Sequence, residues 1–437
     1  MRSRNFLLLV SKEWRELMAS RAFWLLLIMM GPLVGHGFII AVNLYAEASG
    51  MGGGSAALAQ GLTPLDGILV PTFGAYDLAA TLLFPFVAIR AIASEKQSGG
   101  LKLALQFPGS LPSKVLAKGL VLLGGWLIAL VPGLLALALW KIYGGHLYRP
   151  ETGNLLLGHL LRVMLSGAIG VAAAAIAESA ASAAIVTLGF TVGTWAIDFI
   201  AAGRGGLLAQ LANYTPTAAL RFFEQGMLRL STVIVMLAVI IAGLALAVVW
   251  LDTGRSLRAR LLATGALIVL IAGAMVAVGG MRAGWDLSEN RRNSFSVADE
   301  LALSQIKDDL RMTVYLAPED PRLTDLDQNI VKKLRRILPH LEVDYAANSQ
   351  TGLFEGADEH YGEIWYQLKD QKVMERSTIE PVVLEQLYGL AHIVAPARAE
   401  TEDFPGYPLA TRPKWAAGIF YALWPLLTIL TWWLVRR

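Results

Sequence analysis

Side chains that can attack electrophiles, hold metals or relay protons are scarce in this chain. It has no cysteine, which removes disulfides, thiolate metal sites and sulfur nucleophiles together. Its six histidines, at positions 36, 146, 159, 340, 360 and 392, include no pair four residues apart, so the helical His pair of a zinc hydrolase is missing. No G-x-S-x-G elbow occurs, and no glycine is followed directly by lysine. A phosphate-cradling loop needs that lysine. Gly52-Gly53-Gly54 and the run from Gly203 to Gly206 therefore read as flexible loops, and no catalytic residue, metal ligand or cofactor site is expected on this chain.

The remaining candidates are acids set among apolar residues. Glu178 and Asp198 are the first two, because an unpaired charge at membrane depth costs roughly 3 kcal/mol or more and is kept for a substrate path or a helix contact. Both fall near the ends of apolar segments, where water is close. His36 reads as a packed, hydrogen-bonded residue. A third acid, Glu95, begins the stretch Glu95-Lys96-Gln97-Ser98-Gly99-Gly100-Leu101-Lys102. There a carboxylate can accept hydrogen bonds from a basic partner, Gly99 permits a turn that a side chain would resist, and Leu101 can bury apolar surface.

The elements that must carry these residues follow from composition. Of 437 residues 55% are hydrophobic and 16% charged, against about 25% charged in soluble domains, so a soluble enzyme is excluded. A formal charge of +3 fits a membrane protein with positive cytoplasmic loops, and no nucleic-acid partner is expected. Uncharged windows long enough to cross a bilayer run from Ala22 to Ala46, Gly119 to Trp140, Leu230 to Leu251, Leu261 to Met281 and Trp415 to Val435. Three less tidy ones cover about 73–93, with Asp77 and Arg90; about 155–177, with Arg162; and Ser179 to about Ala201, with Asp198. Gly31-x-x-x-Gly35 and Gly189-x-x-x-Gly193 suit close helix contacts. Lys and Arg cluster in alternate loops, which predicts cytoplasmic termini and puts residues 282–414 outside the cytoplasm.

Residues 282–414 are charged enough to be a soluble domain. Arg311 to Ala317 alternates like a strand, Leu326, Ile330, Leu334 and Ile337 mark one helix face, and Leu341 to Ala346 is a second strand. A hairpin from Gly362 to Ser377 turns near Lys369, and a helix follows from Val382 to Ile393. Trp365, Tyr366 and Tyr388 read either as exposed aromatics for a protein partner or as packed core of this domain. The fold expected is a mainly α-helical polytopic membrane protein of about eight transmembrane helices, with a small α/β extracytoplasmic domain between the last two.

Two stretches carry a resemblance to a known family. Lys12-Glu13-Trp14-Arg15-Glu16-Leu17, followed by Ser20-Arg21-Ala22-Phe23-Trp24, resembles the elbow that opens ABC-2 type permeases. Glu95 to Lys102, then Leu105 to Pro108 and Lys114 to Gly119, is similar to that family's cytoplasmic E-[KR]-x-x-G-T-L-E…L-P…GK pattern. Here Gly100 stands for Thr, Lys102 for Glu, and Lys118-Gly119 inverts Gly-Lys. Downstream, Arg282 to Ser296, with its Asp286-Leu287-Ser288-Glu289, resembles the entry segment of gliding-motility-type ABC auxiliary proteins, and Arg311 to Ala317 and Thr378 to Leu390 resemble parts of that family's extracytoplasmic domain.

The resemblance implies a permease subunit with an elbow helix over residues 1–21 that includes Lys12, Glu13, Trp14 and Arg15. A six-helix permease domain over 22–254 follows, then a linker and seventh helix over 255–281, a shortened auxiliary-like domain over 282–414, and a last helix and tail over 415–437. It implies ATPase coupling through Glu95, Gly99 and Leu101, with ATP and Mg on a separate ATPase dimer and a second permease copy or paralogue beside it. The setting implied is the inner membrane of a bacterium, with a periplasmic protein as a further partner. A non-transporting transducer that passes ATP-driven motion to the envelope is the alternative.

Overall fold

The computed structural model describes residues 2–51, 63–106, 109–201, 212, 214–279, 281, 283–317, 320–346, 360–396, 406–409 and 411–436. The two glycine runs at 52–54 and 203–206 lie outside the described residues. Among the described residues, eight helices are long and apolar enough to cross a membrane: Arg21–Gly50, Leu65–Gln97, Leu111–Ile142, Arg149–Ile176, Ala180–Ala201, Leu230–Leu251, Leu257–Gly279 and Gly418–Arg436. Eight is the number expected from the apolar windows. The second span is the one most lengthened, extending from the expected 73–93 to Leu65–Gln97, with Asp77 and Arg90 inside it.

Proline and glycine shape the spans. Span three breaks after Ala129 and restarts at Val131, where Pro132 has no amide to continue the ladder. The Tyr76 hydroxyl sits at this break, donating toward the Ala129 and Leu130 carbonyls at 3.2 and 3.1 Å and accepting from Gly133 N at 2.7 Å. Freed backbone groups at membrane depth need such a partner. Gly31 and Gly35 of span one admit span eight so closely that a Cβ would lie 2.2 Å from the Trp424 ring or the Phe420 Cβ. Gly189 and Gly193 meet nothing within 4 Å, so that pair makes no such helix contact within the described chain. Span seven has no buried residue.

The chain divides into two compact units, one of Met1–Asp198, Tyr214–Trp285 and Pro405–Arg437, the other of Phe199–Asn213 and Asp286–Phe404. The second holds a four-stranded sheet in the order Leu341–Tyr345, Leu310–Val314, Ile364–Leu368, Gln371–Glu375. The first two strands are parallel and joined through the helical segment 321–337, while the other neighbours are antiparallel. Leu326, Ile330 and Leu334 bury the face read from their spacing. The hairpin turns at Lys369, in the left-handed region at φ +53°. An additional helix, Val297–Leu303, is capped by Ser296 Oγ, which accepts from Asp299 N at 3.1 Å. Ahead of it Asp286 accepts from Ser288 N, Asn293 N and Ser294 Oγ at 3.1, 2.9 and 2.8 Å, which folds 286–294 around one carboxylate.

Of the two readings of the aromatics, core packing holds for Tyr366 and Tyr388. Tyr366 is 0% exposed and Tyr388 4%, because Ile364, Tyr366 and Leu368 share the inward face of one strand and Tyr388 follows Leu384 by one helical turn. Only Trp365 is half-buried, with Lys372 Nζ 4.1 Å from its ring. The Tyr388 hydroxyl donates to Asp299 Oδ1 at 2.6 Å, whereas the buried Tyr366 hydroxyl has no partner among the described residues. Tyr388→Phe is expected to lower stability by about 1.5–3 kcal/mol, the usual net worth of a hydrogen bond to a charged group. Tyr366→Phe should leave stability unchanged or raise it. Thermal unfolding of the detergent-purified chain reads both, and equal losses in the two variants contradict the assignment.

Candidate functional site

The N-terminal helix Arg2–Ala19 is followed by an extended residue, Ser20, before span one begins at Arg21. Trp24 Nε1 donates to Met18 O at 2.6 Å across this elbow. The helix lies on span three, which presents two glycines to it. A Cβ on Gly124 would stand 2.7 Å from the Trp14 ring, and one on Gly125 2.8 Å from Leu17. Trp14 is thus held in the protein, while Arg15 stays exposed.

The inward side of the elbow carries charge. Lys118, in span three and 5% exposed by side chain, places Nζ 2.7 Å from Glu13 Oε2 and 3.1 Å from Glu95 Oε1, and donates to Ala91 O at 2.8 Å. Lys12 Nζ lies 3.0 Å from both Glu13 Oε1 and Glu16 Oε1 and pairs with Glu95 Oε1 as well. Burial alone would lower the Lys12 ammonium's pKa; Glu95, Glu16 and Glu13 outweigh it, and the pKa is raised. The carboxylate oxygens of Glu13, Glu16 and Glu95 lie within 4.8 Å of one another, a spacing a cation could use, but the two ammoniums already occupy that role. The arrangement is a latch joining the elbow to the end of span two and the start of span three, buried at Glu13, Glu95 and Lys118 and open to solvent at Lys12 and Glu16.

Lys96, next in sequence, donates to the Ala175 and Ala177 carbonyls at 2.7 and 2.9 Å. A cation there satisfies the open carbonyl end of span four. At Gly99 the backbone turns in the left-handed region, φ +71°, with nothing within 4 Å of a Cβ. The short helix Gly100–Gln106 follows, with Leu101 half-buried against the hydrophobic core of the first unit. The structure therefore brings Lys12, Glu13 and Glu95 into one cluster and sets Gly99 and Leu101 just beyond it. Glu95 is not a free acceptor as the sequence suggested, since Oε1 is held by two lysines of its own chain. Lys118 was missed, although a second lysine one turn after Lys114 at the head of an apolar helix was its signal.

The other two acids separate. Glu178 is exposed in the short connection between spans four and five. Asp198 is buried in the last turn of span five, 2.5 Å from the Arg221 guanidinium. The deepest charge is one the sequence reading passed over as an interruption. Arg162 of span four is fully buried; its Nε lies 3.0 Å from Asp77 Oδ1, and its other nitrogens donate to Ser166 Oγ and Thr81 Oγ1 at 3.0 Å. Glu151, Asn154, His159, Arg162 and Ser166 form a buried polar stripe along this helix. Glu224, half-buried on the helix Pro216–Glu224 that lies against span four, has its pKa raised to about 7 by burial and the Asp77 charge, against the pull of Arg221.

No family model matches the chain, and no curated protein or solved structure does.

Proposed function

We propose that this chain is the membrane-spanning subunit of an ATP-driven transporter of ABC-2 type, in which hydrolysis on a separate ATPase dimer, carrying ATP and Mg, moves the spans. One observation carries this reading: a buried charge network welds the elbow helix to the end of span two, directly before the Gly99 turn. A push on the turn reaches the elbow, span two and span three as one body, since Lys118 and Lys12 hold all three. Leu101, seated on the core, supplies the apolar contact that makes such a lever stiff.

Eight long apolar helices support a membrane setting; a bacterial inner membrane, cytoplasmic termini, an outward-facing second unit and a second permease copy belong to the same proposal. The transducer alternative draws support from the second unit, whose four-stranded sheet and separate core suit a docking domain for a periplasmic protein.

In the complex with its co-purifying ATPase, Gly99→Val, which forces a branched side chain into the left-handed region, and Leu101→Asp should each cut permease-stimulated ATP turnover by about tenfold. Membrane abundance should stay normal for Gly99→Val, because open space surrounds that position. Unchanged turnover and assembly in both variants would remove the loop from the mechanism.

A further inference from the structure

Glu224 closes the helix Pro216–Glu224, at the end where the backbone's own partial charge is negative and a carboxylate is disfavoured. It is half-buried there. Three contacts fix this end of the helix on its neighbours. A Cβ on Gly158 of span four would stand 2.5 Å from the Phe223 Cβ, Asn154 Nδ2 donates to Phe223 O at 3.2 Å, and Arg221 pairs with Asp198 in the last turn of span five. Glu224 is thereby brought within range of the charge on Asp77 of span two, which Arg162 holds.

Charge around this carboxyl does not balance when it is ionised. Asp77, Asp198 and Glu224 then face two guanidiniums, Arg162 and Arg221, and each of these is paired with one of the aspartates. Glu151 sits in the first turn of span four, where the helix end is positive, and Arg229, on the strand after the helix, lies over the Phe222 ring at 4.0 Å. A proton on Glu224 removes the excess. The same face of span four also has unused hydrogen-bonding capacity. His159 is 1% exposed and one turn before Arg162; its ring packs against Phe73 and Tyr76, just ahead of Asp77, and neither ring nitrogen has a partner among the described residues. Asn154 Oδ1 is likewise buried without one. Buried polar atoms left unpaired in a fold need a reason, and a neighbouring carboxyl that changes between acceptor and donor supplies one.

We propose that Glu224 and Asp77, with Arg162 and Arg221 beside them, form a proton-binding site in which Glu224 takes up one proton from water, and that this uptake seats the helix Pro216–Glu224 on span four. Burial and the Asp77 charge push the Glu224 carboxyl up to about 7 against the pull of Arg221, so the proton comes and goes near neutrality. The O–H bond formed on Glu224 removes its charge. On release the carboxylate meets both Asp77 and the negative end of its own helix, and docking weakens. The site lies toward the opposite end of span four from Ala175, whose carbonyl Lys96 holds, and it stands whether or not an ATPase docks near the Gly99 turn.

The full chain in neutral detergent is titrated from about pH 5.5 to about pH 8.5, a range above the ordinary carboxyl values, and followed by infrared difference spectroscopy and by melting temperature. Wild type should lose one protonated-carboxyl C=O band with a midpoint of about 7, and Glu224→Gln should lack that band. A carboxyl whose folded pKa lies above its ordinary value of 4.5 contributes stability that is present below that value and is lost as the pH rises through the folded pKa. Glu224→Gln stays neutral throughout, so its melting temperature should gain on that of wild type as the pH rises. Asp77→Asn removes the neighbouring charge and should lower the band's midpoint by about one unit, even where the variant melts lower because Arg162 has lost its carboxylate. A band that survives in Glu224→Gln, a midpoint unmoved in Asp77→Asn, or a melting gap between Glu224→Gln and wild type that is constant with pH would overturn the assignment.

Discussion

Lys118→Met is expected to cost about 3–5 kcal/mol, the range for stripping one partner from a buried ion pair. Side chains of Lys118, Glu13 and Glu95 are all less than a tenth exposed, so water screens little of the effect. Methionine keeps the length and apolar stem of lysine but leaves Glu13 and Glu95 to Lys12, which Glu16 also shares, and to the charge of Lys114 near Glu95. Adding Glu13→Gln restores the original balance of charge and should recover part of the loss. Melting temperatures of wild type, both single variants and the double variant form a cycle whose interaction free energy isolates the pair. Additive losses would show that Lys118 and Glu13 do not act together.

Arg162→Met carries the second large effect, roughly 3 kcal/mol, because Asp77 then holds a charge at membrane depth without its cation. Abundance in the membrane fraction should fall, and Asp77→Asn in the same background should raise it again. Arg162→Lys should not rescue fully: the guanidinium reaches Asp77, Ser166 and Thr81 in three fixed directions, which a single ammonium cannot reproduce. Wild-type abundance in Arg162→Met would show that Asp77 finds another partner.

Apolar windows identified all eight long helices, because lipid-length hydrophobicity is a local property of sequence. Strand alternation in the second unit was equally local, and Leu310–Val314, Leu341–Tyr345 and the hairpin fall where it put them. Pairings across the chain were not legible. Glu13 and Glu95 were singled out separately, and the packing of the elbow on span three, with Trp14 on Gly124 and Leu17 on Gly125, brings Glu13 to the Lys118 that also holds Glu95. Asp77 and Arg162 looked like flaws in two separate windows, since each makes sense only beside the other. Tyr366 and Tyr388 could be read either way from aromatic content alone, and strand and helix periodicity is what turns both inward.

The distance between latch partners along the chain sets an order of events during synthesis. Asp77 precedes Arg162 by 85 residues, and Glu13 precedes Lys118 by 105. At a ribosomal rate of about 5–20 residues per second, Asp77 waits on the order of ten seconds for its guanidinium. Through that interval span two carries a charge that bare lipid disfavours, so the insertion machinery must keep it at a watery or proteinaceous boundary until span four arrives. The elbow helix likewise waits unlatched until the head of span three has been made.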